Sequence, residues 1–98
     1  MNNKSTELKA FRERIDIIDN QLVTLLTERM NIALNIADIK ADSVDEVVAS
    51  DRVKIVTDRV AGIARSIQGN EVFIRNIYGL IIKELTNMQL HKKGLERP

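Results

Sequence analysis

Four cations and one amide, Arg12, Arg29, Lys40, Arg52 and Gln89, are the side chains of this chain whose types and placement could do chemistry. There is no nucleophile–base–acid set, no glycine-rich phosphate loop and no metal-ligand cluster in the sequence. The serines and threonines have no histidine placed to activate them, and His91, without companions, is a poor metal ligand and a better surface residue near a helix end. Arginines clamp carboxylates through paired N–H donors, and a lysine ammonium is a mobile donor to a single oxygen such as a bridging ether. A cationic set of this kind suits a reaction that needs neither a protein nucleophile nor a cofactor. Its rate gain comes from holding one substrate conformer and stabilising charge separation. The partner implied is a small dicarboxylate.

These residues must be positioned by helices. Leu8, Phe11, Ile15, Ile18, Leu22, Leu25, Ile32, Ile36 and Ile39 recur at steps of three and four, a heptad-like seam on one long helix from about Leu8 to Lys40. Arg29 occupies the one seam slot that the pattern reserves for an apolar residue. Burying a guanidinium without a partner is costly, so the seam opens there, an anion sits against it, or it pairs with Glu28, Asp16 or Asp19. Ser5 or Thr6 is expected to cap this helix, with residues before it frayed. At 1.5 Å per residue about 35 residues span roughly 50 Å, too long for a compact monomer of this size. The expected cover for its stripe is a second copy of the chain, and the seam alone leaves an ordinary dimeric coiled coil open. A hairpin break near Asn31 to Asn35 is disfavoured because no turn residues gather there. In an antiparallel pair, Arg12 of one chain can approach Arg29 and Lys40 of the other.

Asp42 to Ser50, acidic and rich in small residues, reads as a loop or weak helical turn. The second helix is expected from Ser50 or Asp51 to Ile67, with the stripe Val53, Val56, Val60, Ile63 and Ile67. Arg52 stands in its first turn, where the helix dipole offers a cation nothing; a bound carboxylate, or a pair with Asp51 or Glu46, accounts for it. Arg59 and Arg65 are expected outward. Gln68-Gly69-Asn70 stops the helix. The third helix is expected from about Glu71 to Lys92 or Lys93, with Ile74, Ile77, Tyr78, Ile81, Leu85 and Met88 facing inward. Gln89, one turn after Leu85, sits at the margin of that face, where its amide can donate inward or the residue can equally lie on the surface. Leu95 to Pro98 is expected to be loose. The fold class expected is all-α, one long and two shorter helices per chain, in a single domain over 1–98.

Composition narrows the partners. Fifteen Lys and Arg against fourteen Asp and Glu leave a net charge of +1, a balance that argues neither for nor against a nucleic-acid partner; with only three aromatics no base-stacking surface is expected, and no nucleic-acid partner is expected. No apolar run approaches the roughly 20 residues of a membrane span, and no signal peptide is visible. The absence of cysteine fits a reducing compartment, and a cytoplasmic location is expected.

The stretches Phe11-Arg12-Glu13-Arg14-Ile15-Asp16-Ile17-Ile18-Asp19, Leu25-Leu26-Thr27-Glu28-Arg29-Met30, Ile36-Ala37-Asp38-Ile39-Lys40 and Ile81-Ile82-Lys83-Glu84-Leu85-Thr86-Asn87-Met88-Gln89 resemble the all-helical chorismate mutase family, which also includes isochorismate pyruvate lyases. The resemblance covers nearly the full length. It implies an intertwined homodimer with two sites, each using residues of both chains. It implies that Arg12 reaches across from the partner to one substrate carboxylate and Arg29 holds the other. It assigns Lys40 and Gln89 as donors to the ether oxygen and Arg52 as a further carboxylate contact, with Leu85 beside the substrate.

The chain departs from the family at Val53, where a glutamate that accepts from the C4 hydroxyl of chorismate is common, and at Ala49, another commonly acidic position a turn earlier. Arg52-Val53 looks more like the lyases, whose substrate carries its hydroxyl at C2. A third substrate is 4-amino-4-deoxychorismate, whose amine prefers a nearby carboxylate, and the connector offers Asp42, Asp45, Glu46 and Asp51. The resemblance therefore implies first a mutase of chorismate or its 4-amino analogue, second a lyase forming salicylate and pyruvate. The non-enzymatic alternative is a helical dimerisation module.

Overall fold

The computed structural model of the chain describes residues 3–40 and 42–95. They form α1 (Asn3–Ile39), α2 (Val44–Val48), α3 (Ser50–Ser66) and α4 (Glu71–Lys92), with no strand among the described residues. The expected all-α class holds, and the connector adds a five-residue turn, α2, to the three main helices. The chain divides into two compact units, Met1–Ile32 and Ala33–Pro98.

The described residues of the first unit all belong to α1. Helix begins at Asn3, so Ser5 and Thr6 lie inside it rather than capping it, and Asn3 to Ser5 are helical rather than frayed. Met1 and Asn2, the rest of that expected frayed end, lie outside the described residues. Thr24 and Thr27 turn their hydroxyls onto the carbonyls of Asn20 and Val23 at 2.8 and 2.7 Å, which keeps both compatible with a helix interior. Every side chain from Asn3 to Glu28 is exposed, the seam residues Phe11 at 69% and Leu25 at 60% included. A single helix has nothing of its own to bury a stripe against.

The second unit carries the core. Its buried apolar residues are Ala33, Ala37, Val47, Val56, Val60, Ala61 and Ala64. α3 packs along α4, and α2 also touches α4. The inward face of α3 is turned from the expected one. Val56 and Val60 are buried and Val53 is half-buried as expected, but Ala61 and Ala64 complete the face, while Ile63 and Ile67 are exposed. Small side chains at a contact let helix axes approach closely, and that outweighs the larger transfer gain of two isoleucines. On α4, Ile74, Tyr78, Ile81 and Leu85 are half-buried as the stripe requires, but Ile77 and Met88 are exposed.

The turn between α3 and α4 is a paired C-terminal cap. Gly69 N–H donates to Ala64 O at 2.6 Å and Gln68 N–H to Arg65 O at 3.3 Å. Gln68, not the glycine, takes the left-handed conformation, with φ 57°. Gly69 is needed for closeness instead, because a Cβ there would stand 3.1 Å from Ala64 O. Asn70 then caps α4, its Oδ1 accepting from Phe73 N–H at 3.0 Å. At the far end Leu95 N–H donates to Leu90 O at 2.9 Å, so Leu95 is tied into the cap of α4 rather than loose. Residues 96–98 of that expected loose end lie outside the described residues.

Ser43 caps α2 by accepting from Glu46 N–H at 3.2 Å. Ala49 ends α2 and begins α3 with φ 48° and ψ 61°. That left-handed conformation costs a residue with a Cβ about 1–2 kcal/mol, and glycine's extra freedom in the unfolded chain offsets part of the relief on replacement. Ala49→Gly is therefore expected to leave stability unchanged or raise it by about 0.5 kcal/mol, and the β-branched Ala49→Val to lower it by more than about 1 kcal/mol. Urea midpoints of the three proteins check both signs.

Candidate active site

Gln89 is a buried polar residue, 6% exposed. Its Nε2 donates to Ala33 O at 2.6 Å, so the amide does point inward from α4. An amide nitrogen carries two hydrogens, and this bond uses one of them.

Lys40 follows the last residue of α1. Its N–H donates to Ile36 O at 3.1 Å, and its Nζ donates to Val47 O at 2.9 Å. Val47 lies in the last turn of α2, where helix carbonyls lack intrahelical partners, so the ammonium caps that turn. One of its three Nζ donors is thereby engaged. The lysine is half-buried, consistent with a held rather than a freely moving side chain.

The remaining expected site residues of this unit lie on α3 and α4 and between α2 and α3. Arg52 is exposed in the first turn of α3. Val53 and Ala49 are half-buried, as is Leu85. Asp42 is committed to Lys93 at 2.6 Å, whereas Asp45, Glu46 and Asp51 are exposed. Arg12 and Arg29 belong to the first unit. Arg12 is exposed, and Arg29 is half-buried and engaged in an interaction of its own. As expected, Arg59 and Arg65 are outward, Arg65 pairing with Glu71 at 2.8 Å, and His91 is exposed.

Two lysines that sequence reasoning passed over bind the C-terminal end of α1 and the residues after it. Lys92 Nζ reaches Leu34 O at 3.2 Å and Asp38 Oδ2 at 2.9 Å, and Lys93 Nζ reaches Lys40 O at 2.9 Å as well as Asp42. The signal available in the sequence was two lysines just before Gly94, which marks a helix C-terminus but not what the cations grasp.

The second unit thus carries a buried amide donor and an ammonium bonded to a backbone carbonyl. No group of three or more His, Cys, Asp or Glu that could hold a metal ion occurs among the described residues. Residues 11–90 match the family model of chorismate mutase type II, and the chain belongs to that family. It is 32% identical over 89 residues to the bifunctional chorismate mutase/prephenate dehydratase of Buchnera aphidicola subsp. Schizaphis graminum, covering 89% of this chain and 23% of that protein. It is 28% identical over 86 residues to the 4-amino-4-deoxychorismate mutase of Streptomyces venezuelae, covering 88% of this chain and 84% of that one. Identity to the chorismate mutase of Methanocaldococcus jannaschii is 29% over 90 residues, 92% and 89% of the two chains. The chain thus spans about a quarter of the bifunctional relatives and most of the other two. No solved structure gives a significant match. No described helix is long and apolar enough to cross a membrane.

The Gln89 geometry makes a pH-dependent prediction. In Gln89→Glu a carboxylate would face Ala33 O, and only the protonated acid can donate there. Burial and the facing carbonyl raise the folded-state pKa of such a carboxyl above its unfolded value. The variant is therefore expected to approach wild-type stability below the unfolded-state pKa of about 4.3 and to lose stability as pH rises through the raised folded value. Thermal melts of both proteins between pH 4 and 8 check this; a pH-independent difference would contradict it.

Proposed function

We propose that the chain is a chorismate mutase-type isomerase, acting on chorismate to give prephenate or on 4-amino-4-deoxychorismate to give the corresponding prephenate analogue. The observation that carries this reading is the pairing of an inward amide donor at Gln89 with a fixed ammonium at Lys40 in one unit of a chain of this family. In the rearrangement the bond from the ether oxygen to the ring breaks as a carbon–carbon bond forms, with no atom gained or lost. Negative charge builds on that oxygen in the transition state. Donors held in place before reaction lower the barrier without reorganising, and Lys40 and Gln89 supply them. Arg29 and Arg12 take the two carboxylates and Arg52 adds a contact, which selects the reactive conformer. Val53, Ala49 and Leu85 form the apolar wall of the pocket. No cofactor takes part.

The working form in this reading is a homodimer whose sites draw on both chains, with Arg12 supplied by the partner. The exposed seam of α1 supports it, because a stripe of this length left in water would be an association surface. A cytoplasmic enzyme is consistent with a cysteine-free sequence.

Between the two substrates, the exposed acids Asp45, Glu46 and Asp51 near Val53 in the chain favour an amine over a hydroxyl at C4, since a carboxylate pairs with a cation across a short gap. The second reading, an isochorismate pyruvate lyase, draws on the half-buried Val53 directly after Arg52.

Steady-state kinetics on chorismate, 4-amino-4-deoxychorismate and isochorismate test the proposal. Prephenate or its amino analogue marks a mutase and pyruvate release the lyase; no turnover of any of the three would refute an enzymatic role. Arg29→Leu is expected to lower kcat/KM on the preferred substrate about 100-fold, the loss of a charge-assisted carboxylate contact of roughly 2–3 kcal/mol. In a simple dimerisation module the same change would raise stability and cost no activity.

A further inference from the structure

Lys40 is held at three points. Its N–H bonds to Ile36 O and its Nζ to Val47 O, both within its own stretch of chain. Its carbonyl is held from α4, by Lys93 Nζ at 2.9 Å. The Lys93 side chain is only 8% exposed, and its charge is balanced by Asp42 at 2.6 Å. A lysine buried to this degree is unusual at a helix end, where the chain could let it reach into water. Its two acceptors flank the segment that carries Lys40 out of α1.

We propose that Lys93 is a positioning residue for the reaction: by gripping the carbonyl of Lys40 and the carboxylate of Asp42, it sets the direction in which the Lys40 ammonium leaves the backbone. The proposal rests on the mutase reading for Lys40 as donor to the substrate. Lys93 touches no reacting atom. With its grip lost, the residue after the α1 terminus can turn about its backbone torsions, and Nζ moves off the line set by Val47 O. Donor misplacement of about an ångström costs up to 100-fold in rate. Lys92 is the internal control. It comes from the same turn of α4 and also bonds to a carbonyl and a carboxylate of the α1 end, but at Leu34 and Asp38, away from Lys40.

The experiment compares wild type, Lys93→Met and Lys92→Met by two readouts. The first is the NMR signal of the Lys40 side chain in protein labelled at lysine 13Cε, which reports whether the ammonium is fixed or averaged and needs no substrate. The second is kcat and KM on whichever substrate of the panel wild type prefers. Lys93→Met is expected to shift the Lys40 signal toward that of free lysine and to lower kcat about 10- to 100-fold with a smaller change in KM. Lys92→Met is expected to lose stability only. In a Lys40→Met background, Lys93→Met should cost no further kcat. An unchanged Lys40 signal in Lys93→Met overturns the proposal, as does a shifted signal in an active enzyme with unaltered kcat, or an equal effect from Lys92→Met. A shifted signal in a protein inactive on every substrate supports the grip and refutes the mutase reading instead. If Lys93→Met does not fold, Lys93→Gln, which removes the charge and shortens the reach, takes its place under the same criteria.

Discussion

The C-terminal end of α1 is held by side-chain donors from the end of α4, and the arrangement of the second unit follows from that grip. α1 has no basic residue in its own last turn. Gln89 and Lys92 add bonds to the carbonyls of Ala33 and Leu34, which lie within the helix, and Lys93 reaches the carbonyl of Lys40, just past its end. Cations there favour two helix termini at once, since both α1 and α4 present their negative ends. The same contacts fix where Gln89 and Lys40 stand, so the bonds that close the fold and those that arrange the candidate site are largely one set.

Much of this was legible in the chain. The bounds of α3 and α4 could be read to within a residue, because Asn70 is a strong cap, Gly69 marks a stop and no proline interrupts the stripes. The place of Gln89 one turn after Leu85 left an inward donor and a surface residue equally open, and its burial against Ala33 O decides for the first. What was not legible was the choice of face. Periodicity gave Ile63 and Ile67 the same standing as Val56 and Val60, whereas the packed helix prefers Ala61 and Ala64. A stripe of large residues signals an amphipathic helix but not which neighbour covers it, and α3 carries one face for the core of this unit and exposed apolar side chains beyond it. The grip of Lys93 on Lys40 was equally hidden, because it joins residues far apart in sequence through a backbone carbonyl, which carries no sequence signature.

The candidate site divides along the chain as the two units do. Lys40 and Gln89, the proposed donors to a developing charge, sit in a unit with its own core; Arg12 and Arg29, the proposed carboxylate clamps, sit on a stretch of helix with none. Charge stabilisation requires donors fixed before the reaction, and the bonds on Lys40 and Gln89 provide that. Carboxylate capture tolerates longer, adaptable side chains, and arginines on an exposed seam suit it once that seam is covered.

The alanine-rich interior has a thermodynamic corollary. Ala33, Ala37, Ala61 and Ala64 bring few methylene groups out of water, so the heat-capacity change and denaturant sensitivity that this unit contributes on unfolding are modest for its length. Tight helix contact has been obtained with little transfer free energy. A fold stabilised this way has a shallow stability curve, and its melting point depends less on its own interior than on mass action, rising with protomer concentration wherever copies associate through the helical faces left in water.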